Sequence, residues 1–320
     1  AEPEFLLACD AAFKQGSRFV GWRDGSAEDA YYHPFAPPLD AEPQALVAAW
    51  RDHAQGRSFA RTVGVQPHVA ARNLAPRQRT MPDYAGALNY AYHLDAAKLA
   101  ALLSRHATER LGVRHVRDHV TGVRAADNGD IAAIETRSND AIGGDLFLDC
   151  TGHAALLIGR HHGVGSIDRT AELFNDRALA VQVPVAPDSP ILSQTDATAH
   201  SAGWIWDIGL PSRRGIGCVY SSHHLSDDEA AATLDAYLAR IAPDADRTSL
   251  PVRQLAFTSQ HRERFWVGNC VAIGLSAGFL EPLEASAIVL IELSLDALVA
   301  NFPVDRPAMN AHADRFNALF

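Results

Sequence analysis

The stretch from Phe265 to Ile291 constrains the fold of this chain more than any other part of the sequence. It opens with a short apolar, β-branched run, Phe265 to Ile273, which is typical of a buried strand. Glycines and a proline then interrupt the run and predict a loop, and apolar residues recur at helical spacing from Leu283 onward. An order of strand, glycine-bearing loop and helix directs backbone N–H groups and the positive end of a helix dipole at the loop.

Such a loop suits an anion or the edge of a flavin, although an ordinary strand-to-helix connection of a doubly wound sheet has the same pattern. Two carboxylates favour the functional interpretation. Glu281 and Glu284 flank Pro282 within apolar sequence. An unpaired ionised carboxylate is costly there, so each of them needs a partner or a chemical task.

The length and charge of the chain exclude several classes of protein. Its 320 residues are enough for two domains or one large α/β unit. The net charge of −10 and the absence of any Lys/Arg run argue against a nucleic-acid surface. There is no apolar stretch of about 18 residues and no signal-peptide pattern, so we expect no membrane contact and a cytoplasmic location.

The cysteines and histidines predict neither disulfides nor a metal site. Among the 15 histidines, the pairs His161-His162 and His223-His224 are adjacent, and neighbouring residues of a strand point to opposite faces. No HExxH motif occurs. The cysteines are widely spaced and are predicted to be buried thiols. They are Cys9, Cys150, Cys218 and Cys270.

Lysine is almost absent from the basic residues of this chain. Of the 28 Lys and Arg residues, only Lys14 and Lys98 are lysine. Arg keeps its proton in proteins, whereas burial can turn Lys into an amine, so a retained lysine can mark chemistry. Lys98 falls in a predicted helix and is interpreted as a solvated residue of that helix.

The N-terminal part alternates short elements with long loops. The predictions there are a strand within AAFKQGSRFVGW (residues 11–22), a loop from Pro34 to Pro43, a helix near Ala45 to His53 and an extended excursion from Arg57 to Asp83.

The sequence pattern of the remaining chain predicts two sheets and two capped helices. Asp95 caps a helix that ends at Gly112, and Ser226 with Glu229 forms a capping box before a helix that runs to Ile241. Three strand-like runs form a meander: residues 113–124, 131–136 and 145–150. Four more form a second, largely antiparallel sheet: residues 178–185, 203–208, 216–221 and 252–258.

Seven motifs in this order resemble the flavin-dependent tryptophan halogenase family: AAFKQGSRFVGW, YYHPF, NYAYHLDAAKLAALL, LGVRHVRDHVTGV, DLFLDCTG, GWIWDIGLP and WVGNCVAIGLSAGFLEPLEASAI. The resemblance covers nearly the whole chain. It implies an α/β fold, namely the Rossmann-like FAD-binding fold of flavoprotein monooxygenases with an inserted β-meander and a mostly antiparallel substrate-side sheet.

The resemblance also implies that the modules are interleaved and that this sequence is a core fragment that lacks both ends of the family's chain. Residues 1–94 would hold substrate-side elements with the catalytic lysine, 95–177 part of the FAD module with the meander, 178–260 the antiparallel sheet, and 261–320 the strand, loop and helix for FAD and halide. No GxGxxG motif occurs. The family's glycine motif is therefore expected before residue 1, and most of its contacts to a substrate carboxylate and amine after residue 320.

The chemistry implied by the resemblance is halogenation of an electron-rich aromatic, such as indole or a tryptophan-like molecule. A separate flavin reductase supplies FADH2, which reacts with O2 to a flavin hydroperoxide. Chloride or bromide attacks it, and the hypohalous acid travels to a lysine beside the substrate. The catalytic lysine falls on Lys14 and the catalytic glutamate on Glu284; the alternative for Lys14 is a salt bridge at a strand end.

Further site residues carry over from the family. The halide falls on the backbone N–H groups of Ser286 and Ala287, where the family more often has Thr-Gly. Flavin contacts fall on Val120, Leu275 and Ile288, for which an ordinary core position is the alternative.

Aromatic residues complete the site implied by the resemblance. His33 and Phe35 match residues that stack on the indole in the family, although YYHPF alone also suits a packed turn. The family motif WxWxIP appears here as Trp204, Trp206 and Ile208, followed by Gly209.

Two other functions remain open at this point. An aromatic hydroxylase of the same fold would need neither the halide cradle nor the lysine, so Lys14 with Glu284 discriminates against it. A non-catalytic remnant would not retain FAD. A homodimer is left open.

Overall fold

The computed structural model describes residues 1–26, 28–38, 42–283 and 285–320. The chain divides into two compact units. Unit 1 consists of Ala1–Arg114 and Arg177–Ala256, and unit 2 of His115–Asp176 and Phe257–Phe320. Each unit is therefore assembled from two separate stretches of chain. The finer division into four interleaved modules stays a prediction.

The α-helices of the described chain are α1 (Glu2–Ala8), α2 (Pro43–His53), α3 (Phe59–Val63), α4 (Gln66–Ala70), α5 (Ala96–Arg110), α6 (Asp227–Ile241), α7 (Ser286–Ala300) and α8 (Arg306–Leu319). The strands are β1 (Ala12–Lys14), β2 (Gly16–Val20), β3 (Ala30–Pro34), β4 (Ala91–His93), β5 (Val120–Ala125), β6 (Ile131–Thr136), β7 (Ile142–Gly143), β8 (Phe147–Asp149), β9 (Ser166–Asp168), β10 (Arg177–Pro184), β11 (Thr195–His200), β12 (Gly203–Gly209), β13 (Arg213–Tyr220), β14 (Arg253–Ala256), β15 (Gln260–Arg262), β16 (Trp266–Val267), β17 (Cys270–Ala272) and β18 (Gly278–Phe279).

A large sheet forms the centre of unit 1, with the strand order β14-β10-β13-β12-β11-β2-β3. Its neighbours pair antiparallel, except for the parallel pair of β11 and β2. Helix α6 packs its buried residues, among them Leu234 and Leu238, against Val181 and Ile216 of the sheet. The predicted antiparallel sheet is therefore present, and the capping box of Ser226 forms as expected.

The prediction of a single strand over residues 11–22 is wrong, because the strand is interrupted at Gln15. Strand β1 pairs only with β4, whereas β2 joins the large sheet. Gly16 has φ 143°, and a Cβ on it would lie 2.3 Å from the carbonyl oxygen of His33. Only glycine permits this close approach of two backbones, so the break occurs there.

The region from Arg57 to Asp83 is not the extended excursion that the sequence predicted. It contains α3 and α4, which have five residues each. Helices this short do not complete enough turns to show a helical period in the sequence. The predicted helix near residues 45–53 is confirmed as α2, and the one after Asp95 as α5, with the Asp95 carboxylate accepting from Ala97 N and Lys98 N. Lys98 is exposed on α5, as predicted.

Unit 2 contains three small sheets, ordered β5-β6-β7, β16-β17-β8 and β18-β15-β9. The third strand of the meander is β7, and the predicted third run instead supplies β8, which pairs parallel to β17. The first run becomes a strand only at Val120. Before it, the Asp118 carboxylate accepts from Ser138 N and Asn139 N, so side-chain bonds replace the strand ladder.

The end of β8 is held by a buried carboxylate. Asp149 is fully buried and accepts from the backbone N–H groups of Thr151, Leu157 and Ile158. Because side chains alternate along a strand, the next residue points outward. Cys150 is exposed for this reason, which corrects the prediction of four buried thiols; the other three cysteines are buried.

The apolar run from Phe265 to Ile273 forms a hairpin of β16 and β17 rather than one strand. Its burial is as predicted, since Trp266, Cys270 and Val271 are almost completely buried. Gly268 has φ 57°, which a tight turn requires, and Gly-Asn is a hairpin signal inside the run.

Helix α7 begins at Ser286, three residues later than the predicted start at Leu283. Unlike most apolar helices, it is largely exposed: Leu298 is its buried residue, and Ile288 is 55% exposed. No helix in the described residues is long and apolar enough to cross a membrane. The same part of the chain contains no cluster of His, Cys, Asp or Glu suited to a metal ion.

Candidate active site

Lys14 lies at the end of β1, opposite Ala91 of β4. The register places Lys14, Ala12 and His93 on one face of this two-stranded ribbon. The opposite face is aromatic, because the Phe13 ring lies 5.1 Å from the ring of Tyr90 and 6.1 Å from that of Tyr92. The aromatic packing fixes which way the ribbon faces.

The Lys14 ammonium lies over the Phe35 ring, with Nζ 5.7 Å from the ring centroid. This distance is within the range of a cation–π interaction. Phe35 N donates to Gln15 O at 3.3 Å, and Asn89 Nδ2 donates to Phe35 O at 3.2 Å. The structure therefore brings together two residues that the sequence placed in the same site from motifs 21 positions apart.

His33 lies in β3 opposite Ser17 and is exposed. It precedes Phe35 by two residues, and Phe35 is 38% exposed. Both predicted substrate residues are therefore open to a ligand, in the same unit as Lys14.

Two buried polar residues beside Lys14 were missed by the sequence reasoning. Gln15 is fully buried, and its Nε2 donates to Leu74 O at 2.7 Å and to Ser193 Oγ at 3.1 Å. The sequence did contain a signal for Gln15: it is a polar residue between the candidate lysine, Lys14, and Gly16, where the strand is interrupted. These bonds hold the chain at the residue directly after Lys14.

His93 is the second missed residue. It is 5% exposed, and its Nε2 lies 2.9 Å from Thr195 Oγ1. Burial, aided by the positive charge of Lys14, lowers the pKa of His93 to about 3. The imidazole is therefore neutral at physiological pH.

The two tryptophans of GWIWDIGLP lie next to each other on β12, with ring centroids 6.2 Å apart. Trp204 is 3% exposed, whereas Trp206 is only half-buried. Trp206 is paired with Gly217 of β13, and a Cβ on Gly217 would lie 2.0 Å from Trp206 Cζ2. The indole of Trp206 therefore occupies the space above the glycine.

The predicted halide residues, Ser286 and Ala287, open α7 in unit 2. The residue before them, Ala285, has φ 54° and no side-chain oxygen that could cap the helix. Both line a cavity of 460 Å³ together with Leu275 and Phe279. The start of this helix thus opens onto an apolar cavity within unit 2.

None of the three predicted flavin residues is a core residue. Val120 is 40%, Leu275 42% and Ile288 55% exposed. Leu275 lines the cavity with the halide residues, and Ile288 follows them in α7. Exposed apolar side chains of this kind are available to a flat aromatic ligand.

Glu281, which precedes Pro282, has hydrogen-bond partners. Glu281 Oε1 accepts from Asn175 Nδ2 at 2.7 Å, and Glu281 N donates to Ser259 Oγ at 3.3 Å. Glu284, the predicted catalytic glutamate, lies outside the described residues.

The family model of tryptophan halogenase matches residues 1–320. The chain belongs to the tryptophan halogenase family. Tryptophan 6-halogenase SttH of Streptomyces toxytricini is 35% identical, and the alignment covers 94% of this chain and 60% of that protein. This member of the tryptophan halogenase family therefore spans about 60% of the length of its curated relatives.

Solved structures of halogenases share the fold. A tryptophan halogenase from Shewanella frigidimarina superposes with a TM-score of 0.92 at 44% identity, covering 99% of this chain and 61% of that one. BrvH, a flavin-dependent halogenase from Brevundimonas sp. BAL3, has a TM-score of 0.86 at 33% identity, covering 99% and 64%. The α/β flavoprotein fold predicted from the motifs is therefore confirmed.

Proposed function

We propose that this chain carries the core of a flavin-dependent halogenase that places chloride or bromide on indole or another electron-rich, tryptophan-like aromatic. The observation that carries the proposal is the Lys14 ammonium, 5.7 Å from the centroid of the Phe35 ring. An electron-rich aromatic substrate can pack against the exposed Phe35 ring, and the neighbouring Lys14 ammonium can polarise a halogen donor beside it.

The proposed role of Lys14 is to hold hypohalous acid beside the substrate. Its ammonium donates a hydrogen bond to the oxygen of the acid, which makes the halogen more electrophilic; as an amine it would form a haloamine instead. His33 and Phe35 are proposed to position the aromatic ring. The proposed role of Glu284, which rests on the family motif, is to stabilise positive charge on the ring and accept its proton.

The residues of unit 2 fit a flavin and a halide. Val120, Leu275 and Ile288 offer exposed apolar surface to the ring system, and Ser286 with Ala287 offers helix N-terminal N–H groups to the anion. FAD, when bound and reduced, would activate O2 so that the halide is oxidised. In this proposal the chain itself orients the ring, holds the halide and carries Lys14.

The proposed partners follow from the same chemistry. Reduced FAD has to be supplied for each turnover, and we propose a separate flavin reductase as its source. The proposed location is the cytoplasm, where such a reductase would have NADH. A homodimer is compatible with this function and is not required by it.

The test uses the full-length protein with a flavin reductase, NADH, FAD, O2, bromide and indole, analysed by mass spectrometry. The expected product shows the paired isotope pattern of a bromoindole. A hydroxylated product without bromine would replace this proposal with the aromatic hydroxylase. Hydrogen peroxide alone, together with failure to retain FAD, would indicate a non-catalytic protein.

A further inference from the structure

The ribbon of β1 and β4, which carries Lys14, needs support from elsewhere in unit 1. Each strand has three residues, and two-stranded ribbons are marginally stable alone. The ribbon is nevertheless the element that places the Lys14 ammonium over Phe35. Its attachments therefore decide how well the ammonium is held.

One attachment lies on the same face of the ribbon as Lys14. His93 Nε2 lies 2.9 Å from Thr195 Oγ1, and Thr195 begins β11, where it pairs with Ser17 of β2. The hydrogen bond thus joins the ribbon to the large sheet across 102 residues of sequence. Phe35 belongs to the chain that leaves the same sheet from β3.

The chemistry of His93 suits an attachment rather than a proton donor. Its ring is almost completely buried, and among the described residues Nδ1 has no hydrogen-bond partner. A neutral imidazole holds the Thr195 hydroxyl without placing a second positive charge near the ammonium. An aliphatic side chain here would pack but would make no directional bond.

We propose that His93 and Thr195 act as a pair of positioning residues that fix the Lys14 ammonium over Phe35 and so direct the halogenating species to the substrate. The assignment rests on the proposed halogenase function. It adds to the site two residues that act through the position of Lys14.

The first test measures the position of Lys14 without turnover. Reductive methylation with 13C-formaldehyde labels the lysines of the full-length protein, and loss of a signal in Lys14→Arg assigns Lys14. The Phe35 ring current is expected to shift this signal, and Phe35→Leu to remove the shift. Thr195→Val, which deletes the hydroxyl at nearly constant volume, is expected to lose most of the shift, whereas Thr195→Ser keeps it.

The second test measures halogenated product per flavin oxidised. Thr195→Val is expected to lower this ratio by about 10- to 100-fold, because small misplacements of a reacting group are costly. Flavin oxidation itself should not change. His93→Leu should behave like Thr195→Val, and the double variant should be no worse than either single one, because both substitutions delete the same hydrogen bond.

Thr198→Val is the matched control. Thr198 lies three residues further along β11 and pairs with Val20 and Ile205, away from His93. It is expected to leave the Lys14 signal and the product ratio unchanged.

An unchanged Lys14 signal and product ratio in Thr195→Val would overturn the assignment. If Thr195→Val does not fold, the same measurements on His93→Leu decide. If the wild-type protein makes no halogenated product, the proposed function fails, while the Lys14 signal still decides whether the pair positions the lysine.

Discussion

Among single residues, Lys14 matters most to the proposed reaction, because the reaction depends on one atom of its side chain, Nζ. Lys14→Ala is expected to reduce halogenated product by at least about 100-fold, the cost of losing a donor that stabilises a transition state. Flavin oxidation should continue, because it precedes the lysine step. The measurement is product per flavin oxidised in the full-length protein.

Lys14→Arg separates the two possible roles of the lysine. Arg keeps the positive charge and the donors but cannot become an amine. Partial activity in this variant would indicate polarisation by a cation, whereas complete loss would favour a haloamine. Loss of flavin oxidation in Lys14→Ala would contradict the role assigned to the residue.

His93 predicts a pH dependence of stability. Its folded pKa of about 3 lies below the ordinary value of 6.5, so the unfolded state binds the proton first as pH falls. The contribution of the neutral imidazole is thus complete above about pH 6.5 and declines toward pH 3, by up to about 1.4 kcal/mol for each pH unit. We expect His93→Gln to unfold more readily than wild type near pH 7 and to lose less stability between pH 6.5 and pH 4.

Urea unfolding curves at several pH values measure this dependence. His115→Gln serves as the control, because His115 is exposed in the stretch before β5. Parallel pH profiles for wild type and His93→Gln would show that His93 is not buried as a neutral side chain.

Among the elements, strand β13 has a glycine, Gly217, where the Trp206 indole lies against it. Gly217→Ala places a methyl group where Trp206 lies, because the added Cβ would be 2.0 Å from Cζ2. We expect a loss of about 1–3 kcal/mol in the free energy of unfolding, as in other overpacked cores. Trp fluorescence during denaturant unfolding reports both the stability and the environment of Trp206.

Gly215→Ala, in the same strand, is the matched control. A Cβ on Gly215 meets only Arg213 Nη1 at 3.6 Å, which is ordinary contact. Equal effects of the two substitutions would mean that strand propensity, not the indole, determines the cost.

Helix α7 begins with backbone strain at Ala285, whose φ is 54°. Glycine adopts this conformation without the penalty of about 1 kcal/mol that a Cβ incurs. Ala285→Gly is therefore expected to raise the free energy of unfolding by about 0.5–1 kcal/mol. Ala297→Gly, inside the same helix, is expected to lower it by a similar amount, so thermal unfolding of the two variants should change in opposite directions.

At the scale of the whole molecule, each unit depends on contacts between two distant stretches of chain. In unit 2 the Arg306 guanidinium of α8 donates Nε to Asp130 Oδ2 at 2.5 Å and Nη2 to Oδ1 at 2.8 Å. The hydrogen bond from Arg306 holds the pKa of Asp130 below its usual value. The pair therefore stabilises unit 2 when Asp130 is ionised, and its contribution declines as pH falls below about 4.

Arg306→Met should lower the free energy of unfolding by about 1–2 kcal/mol at neutral pH, because the bond is charged but Arg306 is partly solvated. The difference from wild type should shrink on acidification. Arg315→Met, on the exposed face of α8, is the control and should have little effect. A difference for Arg306→Met that stays constant down to pH 3 would argue against the ion pair.

Features with a local physical cause can be predicted from the amino-acid sequence alone. Asp95 and Ser226 mark helix starts because a cap bonds within its own turn, and the second half of β10 shows the alternation of a half-buried surface. The motifs determined the family, and they placed Lys14 and Phe35 in one site. Local signals failed where elements are short, as in α3, α4 and the hairpin at Gly268.

The residues that surround Lys14 are brought there by the packing of distant segments. The bond of His93 to Thr195 and those of Gln15 to Leu74 and Ser193 join residues far apart in the chain. No periodicity or motif encodes such pairs, because they depend on how separate elements stack and on which side chains that stacking buries. The same is true of the exposed Leu275 beside the start of α7: its apolar character was visible in the sequence, but its exposure depends on the packing around it.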